Sequence, residues 1–216
     1  MLAQLSLLNP SLLKIFVLKA CNVLKQVQCL IIDDFYNNAD DVRAFALHQE
    51  FSARGNYPGQ RTASFATDSA KELIQNIIRP FAGNVTWWGD ESTGSFQYTT
   101  ASDRSWIHSD YTTNWAGIVY LTPDAPLSAG TGLFRLKENG LRNWKNSEHT
   151  DEENMNALHN KYSQDYTKWE MVDKIGNVYN RLVLYRGDLF HVSLDYFGDC
   201  KENGRLFQLF FFNTER

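Results

Sequence analysis

The spacing of apolar residues predicts two helices in the first half of the chain. One follows a short apolar run that ends at residue 32, and either Asn37 or Asn38 can cap it. The second starts at Ser69 and Glu72, which have capping-box spacing, and ends near Gly83. The apolar face of this second helix consists of Ala70, Leu73, Ile74, Ile77, Ile78 and Phe81. A repeat of this length on one face favours a helix that packs against a core.

Beyond residue 85 the pattern changes to short runs of β-branched and aromatic residues. Gly, Asn and Asp separate these runs, which is typical of strands joined by turns. Together with the early apolar run, the predicted strands are residues 29–32, 94–100, 117–121, 133–136, 178–185, 189–194 and 205–212. Asn203 and Gly204 form a strong hairpin signal, which predicts that the last strand pairs with the one before it.

Residues 141–176 interrupt this series of strands. Thr150 and Glu153 have capping-box spacing, and larger residues follow them at helical intervals. Those residues are Met155, Leu158, Tyr162, Tyr166 and Trp169. The segment is therefore predicted to be an inserted helical arm.

The order of elements predicts an α+β chain that is mainly β. We expect a double-stranded β-helix (jelly roll) core, with N-terminal helices packed on it and a helical insertion. A length of 216 residues favours a single domain. Within it we predict an N-terminal extension (residues 1–29), the first part of the core with its supporting helices (30–140), the inserted arm (141–176) and the final core strands (177–216). A jelly roll leaves an opening between its sheets where ligands commonly bind.

Composition narrows the class of partner and compartment. The chain has 21 Lys and Arg against 25 Asp and Glu, a net charge of −4 without a basic stripe, so no nucleic-acid partner is expected. Three cysteines without C-x-x-C spacing favour a reducing cytoplasm over a disulfide framework. The apolar residues 12–18 are shorter than the roughly 20 that a membrane helix needs, so no membrane span is expected. Nothing in the sequence indicates an oligomeric state.

His108 and Asp110 carry the most informative chemistry. Residues i and i+2 of an extended segment face the same side, so this imidazole and carboxylate can reach one ion. His191 lies 83 residues further on and is the candidate third donor, which only the return of the chain can bring near. Two imidazoles and one carboxylate form the facial triad suited to iron(II), with coordination positions left open.

The ordered set His108-Ser109-Asp110, His191 and Arg205 resembles the motif of the iron(II)- and 2-oxoglutarate-dependent dioxygenases, in particular their prolyl-hydroxylase-like branch. The resemblance extends over about residues 30–213. It includes segments similar to the core strands of that family, in order: residues 96–98, 117–122, 130–134 and 181–185.

This resemblance implies a catalyst that uses Fe(II), O2 and 2-oxoglutarate, with His108, Asp110 and His191 as metal ligands. It implies oxidative decarboxylation of 2-oxoglutarate to succinate, coupled to hydroxylation of a C–H bond in a small molecule or a protein side chain. Arg205 occupies the position that holds the distal carboxylate of the co-substrate, and Tyr98 is a second candidate contact. Many relatives carry a hydroxyl residue two positions after the arginine, where this chain has phenylalanine at 207.

Other interpretations stay open at this point. One is a catalytically silent jelly-roll or cupin-like protein that binds a sugar or peptide in an aromatic opening, and another is a metal-bearing cupin without a co-substrate. Taken alone, Trp106 is expected to be a core tryptophan and Arg61 an ordinary loop arginine. Motifs of hydrolases and of nucleotide triphosphatases do not occur.

Overall fold

The computed structural model describes residues 27–89, 91–143 and 161–216. The helices that lie wholly within these ranges are α1 (Ala39–Leu47), α2 (Asp68–Ala82) and a short 3-10 helix (Tyr166–Lys168). The strands are β1 (Cys29–Ile32), β2 (Gln60–Ser64), β3 (Val85–Trp88), β4 (Ser95–Thr99), β5 (Trp115–Tyr120), β6 (Thr131–Leu136), β7 (Trp169–Ile175), β8 (Leu182–Arg186), β9 (His191–Ser193) and β10 (Arg205–Thr214).

The strands form two antiparallel sheets. The large sheet has the order β1-β8-β5-β10-β4-β2, and β3 also pairs with β10. The small sheet has the order β7-β6-β9. The described chain is therefore mainly β with two supporting helices, in agreement with the fold class expected from the sequence.

Strand β10 shows how the layers are arranged. Alternate residues of a strand face opposite sides, and Leu206, Phe210 and Phe212 pack in one cluster with Ile74 and Ile78 of α2. Phe207 and Leu209, together with β5 residues, belong to a second cluster that also contains Leu133 of the small sheet. The large sheet thus lies between the helices on one face and the small sheet on the other. Both faces of β10 are buried, so its sequence does not alternate.

The helix ends differ in detail from the sequence prediction. Helix α2 starts at Asp68, and its cap is Thr67, whose side-chain oxygen accepts a hydrogen bond from the backbone N–H of Ala70. The predicted cap at Ser69 was therefore wrong by two residues, because Thr67 also provides a capping hydroxyl. At the other end Gly83 adopts a φ of 80°, a left-handed conformation that suits glycine. Asn38 precedes α1 without a side-chain cap bond.

Two predictions of strand and helix placement were wrong. Residues 169–175 form strand β7 paired with β6, not the end of a helical arm, because β6 offers this segment an edge to pair with. The predicted helix start at Thr150 and the residues 155 and 158 lie outside the described ranges. Strand β10 pairs with β3, β4 and β5 and not with β9, so Asn203 and Gly204 lie in a connection between the sheets.

In the part of the chain that the structure describes, no helix combines the length and the apolar character needed to cross a bilayer. The predicted division into residues 1–29, 30–140, 141–176 and 177–216 stays a prediction.

Candidate metal centre and its pocket

A single antiparallel bridge brings the two predicted imidazole ligands together. The N–H of His108 donates to the carbonyl of His191 at 3.0 Å, and the N–H of His191 donates back at 2.7 Å. The two rings lie 4.4 Å apart between centroids. His191 lies on β9 at the edge of the small sheet, and the segment of His108 extends that edge by one pairing.

Backbone carbonyls orient both imidazole rings. Nδ1 of His108 lies 3.0 Å from the carbonyl oxygen of Trp106, and Nδ1 of His191 lies 2.7 Å from that of Leu189. A carbonyl only accepts hydrogen bonds, so we infer that Nδ1 carries the proton in each ring. The lone pair of each Nε2 is then available, which is the arrangement that metal-binding histidines adopt.

The carboxylate of Asp110 completes the cluster. One of its oxygens lies 4.0 Å from Nε2 of both histidines, and the three candidate ligand atoms all lie within 4.8 Å of one another. The N–H of Asp110 donates to the carbonyl of Gly187 at 2.7 Å. A Cβ at Gly187 would lie 3.0 Å from Oδ2 of Asp110, so a residue without a side chain allows this close approach.

The electrostatics of the three residues favour a bound cation. Burial raises the pKa of Asp110 to about 6, and the nearby His108 and Arg61 oppose that rise. Burial lowers the pKa of His191 to about 4. Oδ2 of Asp110 is buried and has no hydrogen-bond partner among the described residues. A buried carboxylate without a partner destabilises the fold. A divalent cation would compensate its charge, and the two neutral imidazoles could bind the same ion.

The donors are close enough for one ion to draw them together. A gap of 4.0 Å between Nε2 and Oδ1 is too long for a hydrogen bond, and shortening it to about 3 Å would bring both atoms to a bonding distance of about 2 Å from one ion. The residues therefore fit the metal that their sequence order suggested.

The cluster lies on the wall of a cavity of about 420 Å³ between the two sheets. Trp106 and Arg61 line this cavity. Trp106 is only partly buried, so its expected role as a core tryptophan was wrong. Arg61 lies on β2 and not in a loop, because its strand pairs with β4 at the edge of the large sheet. We call this cavity the pocket.

Arg205 is fully buried at the start of β10. Its Nε donates to the carbonyl of Ala129 at 2.9 Å, and Nη2 donates to that of Gly130 at 3.4 Å. Nη1 has no hydrogen-bond partner within the described ranges. The ring of Phe207, which lines the pocket, stacks 4.4 Å from the guanidinium carbon. A buried guanidinium with an unused donor is suited to a carboxylate, which accepts charge-assisted hydrogen bonds.

Buried hydroxyl groups surround this arginine. Thr99 is the cross-strand partner of Arg205 on β4, so both side chains share a face, and its Oγ1 is buried without a hydrogen-bond partner. The hydroxyl of Tyr196 is likewise buried, and it lies near the side chains of Ser105 and Ser193. Burial raises the pKa of Tyr196, and the nearby charge of Arg205 opposes that rise. On the other side Tyr120 packs 5.3 Å from the guanidinium carbon and its hydroxyl bonds to Thr131 at 2.8 Å.

Tyr98, the second candidate from sequence, lies elsewhere. It packs against Phe51 on the face of the large sheet that α1 and α2 cover, and its neighbour Gln97 lines the pocket instead. Adjacent strand residues face opposite sides, so only one of the two can reach the pocket. Sequence analysis missed Thr99 and Tyr196; the alternation along β4 contained a signal for Thr99, whereas Tyr196 follows no pattern.

Several solved structures have an architecture similar to that of this chain. HygX from Streptomyces hygroscopicus, with nickel, 2-oxoglutarate and hygromycin B bound, aligns with a TM-score of 0.58 at 12% identity over 96% of this chain and 88% of HygX. The non-heme α-ketoglutarate-dependent carbocyclase SnoK from nogalamycin biosynthesis aligns with a TM-score of 0.57 at 14% identity, over 90% of this chain and 82% of SnoK. The epimerase SnoN from the same biosynthesis aligns with a TM-score of 0.51 at 12% identity, over 94% of this chain and 83% of SnoN.

The fold is thus that of the non-haem, 2-oxoglutarate-dependent oxygenases. By sequence, the chain belongs to a family of unknown function (DUF6445), whose profile matches residues 17–207. No curated protein matches the sequence significantly.

Proposed function

We propose that this protein is a non-haem iron(II)- and 2-oxoglutarate-dependent dioxygenase. His108, Asp110 and His191 hold the metal, and Arg205 binds the distal carboxylate of 2-oxoglutarate. The observation that carries the proposal is the convergence of two imidazole Nε2 atoms and Oδ1 of Asp110 in one pocket, while Oδ2 of the same carboxylate is buried without a hydrogen-bond partner among the described residues. The unused Nη1 of the buried Arg205 is the second support.

The proposal includes a closed jelly roll. The two sheets face each other across the cluster that joins Leu133 of β6 to Phe207 and Leu209 of β10, as the two sheets of a double-stranded β-helix do. The metal ligands then lie at the edge of the small sheet, where the pocket opens between the sheets.

When bound, the metal and co-substrate supply the oxidising chemistry, which converts 2-oxoglutarate and O2 to succinate and CO2 as a C–H bond is hydroxylated. The chain supplies ligands and orientation. The carbonyls of Trp106 and Leu189 hold the two imidazoles with Nε2 towards Asp110. Three protein ligands leave coordination positions open for co-substrate and O2.

Around Arg205 the hydroxyl groups of Thr99 and Tyr196 supply hydrogen bonds that Phe207 cannot. Nη1 of Arg205 and Oγ1 of Thr99 are buried without a partner among the described residues, so each gains one when a carboxylate enters. Phe207 instead packs over the guanidinium and shields it from water. The absence of a hydroxyl at residue 207 is therefore compatible with binding of 2-oxoglutarate.

The substrate we propose is a small molecule or a protein side chain, in a cytoplasmic setting without nucleic acid or membrane. The net charge of −4 disfavours a nucleic acid. Hygromycin B in the HygX structure is a small molecule, which supports a small-molecule substrate in a related pocket.

A catalytically silent binding protein is the second candidate. Phe207 in place of a hydroxyl residue and the aromatic side chains around the pocket favour it. It predicts that the pocket takes up an organic ligand without iron or 2-oxoglutarate.

Anaerobic titration distinguishes the two. Purified protein receives Fe(II) and then 2-oxoglutarate, and a metal-to-ligand charge-transfer absorption band is expected on the second addition. Asp110→Ala should bind Fe(II) at least about 100-fold more weakly, about 2.7 kcal/mol, because a charged ligand is lost. Asp173→Ala is the matched control, since Asp173 is exposed and pairs with Arg142. A band that is absent from the wild type, or unchanged in Asp110→Ala, rules out the dioxygenase proposal.

A further inference from the structure

Arg61 lines the pocket, whereas Arg205 packs against Phe207 and does not itself line it. Nε of Arg61 donates to Oε1 of Gln97 at 2.5 Å, and Nη1 donates to the hydroxyl of Ser92 at 3.3 Å. The guanidinium carbon lies 3.6 Å above the ring of Tyr57. Three neutral groups from different segments thus fix the guanidinium in one position.

No carboxylate within the described ranges forms an ion pair with Arg61. Other arginines of the described chain, at 135, 142, 181 and 186, each contact an acidic side chain within 4.0 Å. Nη2 of Arg61 makes no hydrogen bond to a described residue and is not sealed from the pocket. The side chain therefore keeps one donor edge for a ligand.

The acidic group that Arg61 does influence is the candidate metal ligand Asp110. Both groups line the pocket, and each favours the charged state of the other. Burial also lowers the pKa of Arg61 to about 10, so the arginine stays charged at neutral pH. A fixed, partly desolvated cation in a pocket is stabilised by an anion that enters it.

The charge balance of the proposed site points to an anion with one negative charge. A divalent metal, Asp110, 2-oxoglutarate with two charges and Arg205 together sum to zero. Arg61 adds one positive charge, and among the described residues it is the only lysine or arginine side chain that lines the pocket. One carboxylate neutralises it, whereas a doubly charged phosphate ester would leave a charge uncompensated in a partly desolvated cavity.

The walls beside Arg61 indicate the rest of the ligand. Tyr57, Trp87, Trp106 and Phe211 line the same pocket. Aromatic side chains provide apolar surface with little conformational freedom to lose, so they favour an apolar or aromatic body next to the charged end.

We propose that Arg61 binds the carboxylate of the substrate, and that this substrate is a small monocarboxylate with an apolar body. The inference rests on the proposed function, because it takes the triad as the reacting centre. Arg205 serves the co-substrate and Arg61 the substrate. The two arginines then have separate partners, with the fully buried Arg205 reserved for the molecule that binds in every turnover.

The test compares acids with uncharged amides of nearly the same shape. The probes are 3-phenylpropanoate and hexanoate, each against its primary amide. They are titrated by calorimetry into protein loaded anaerobically with Fe(II) and 2-oxoglutarate, and into the metal-free protein. The variants are Arg61→Gln, Arg205→Gln and, as matched control, Arg54→Gln, whose guanidinium contacts the backbone carbonyls of Phe51 and Ala53 outside the pocket lining.

At least one acid should bind the wild type and Arg54→Gln at least tenfold more tightly than its amide. Arg61→Gln should bind acid and amide equally and still form the charge-transfer band with 2-oxoglutarate, whereas Arg205→Gln should lose that band. The inference is overturned if no acid outbinds its amide in the wild type, or if Arg61→Gln keeps the preference. It is also overturned if the band depends on Arg61 and not on Arg205.

Failure of the proposed function gives a different result. The band is then absent from the wild type, while the preference of the metal-free protein for acids over amides still decides whether Arg61 binds carboxylates.

Discussion

The two faces of the large sheet bury the same strands in different ways. The face towards α1 and α2 is lined by apolar side chains such as Trp115, Phe210 and Phe212, which are 1% exposed or less. The face towards the small sheet mixes apolar residues with Arg205, Gln97 and the candidate metal site beyond them. One sheet thus combines a stabilising face and a polar one.

The difference between the two faces separates the residues that stabilise the fold from those that form the pocket. Burial of apolar area favours folding by roughly 25 cal/mol per Å². Buried polar atoms without partners, such as Nη1 of Arg205 and Oδ2 of Asp110, oppose it by about 1–3 kcal/mol each. We infer that the helix-covered face offsets the destabilisation that the pocket imposes on the other face. Substitutions on the two faces should therefore change different measurements.

The largest expected effect is on the helix-covered face. Phe210→Ala should lower the free energy of unfolding by about 3–5 kcal/mol, because it leaves a cavity at a fully buried site. Denaturant unfolding measures the change, and the folded fraction should still bind Fe(II) as the wild type does. Phe81→Ala is the matched control, since Phe81 is 47% exposed on α2 and its loss should matter far less. Equal losses in the two variants would contradict the assignment of stability to this face.

A substitution on the pocket face should have the opposite profile. Arg205→Met should weaken 2-oxoglutarate binding at least tenfold, about 1.4 kcal/mol, because a carboxylate partner is lost. The free energy of unfolding should change by less than about 1 kcal/mol, since relief of a buried charge offsets the two lost carbonyl hydrogen bonds. The charge-transfer titration and denaturant unfolding measure the two quantities. Arg135→Met, at an exposed ion pair with Glu170, should leave the 2-oxoglutarate titration unchanged.

The smallest effect is expected at the contact between the sheets. Tyr120→Phe removes the buried hydroxyl that bonds to Thr131 at 2.8 Å and should lower the free energy of unfolding by about 1 kcal/mol. The same substitution at the exposed Tyr166 should change it by less than about 0.5 kcal/mol. If the two variants were equally stable, this hydroxyl pair would not help to hold the sheets together.

Local pattern was sufficient for much of the fold. The strands 29–32, 94–100, 117–121, 133–136 and 205–212 were predicted close to their observed bounds, because apolar runs between turn residues are a short-range signal. The strand at 169–175 was not predicted, since Trp169 continues the helical spacing of Tyr162 and Tyr166, and only pairing with β6 decides between helix and strand. The hairpin expected at Asn203 failed for a related reason: the turn is local, but the choice of pairing strand is not.

At the candidate site the same division applies. The order of His108, Asp110, His191 and Arg205 was visible in the sequence, and so was their chemistry as possible ligands. Their convergence was not, because a bridge between residues 108 and 191 depends on the return of the chain through two sheets. Tyr98 was named from the resemblance alone, and the pairing of β4 in the large sheet shows that Gln97, not Tyr98, faces the pocket.

The sequence by itself determined many of the segments that form strands and helices, and which residue types are available for a metal and an anion, because these properties follow from neighbours within a few positions. Only the tertiary structure decided that β10 belongs to the large sheet, that Thr99 and Tyr196 surround Arg205, and that Arg61 faces the pocket. Those outcomes depend on strand pairing between distant segments. The free energy of such pairing comes from burial on both faces of a strand, and a local sequence pattern does not contain that information.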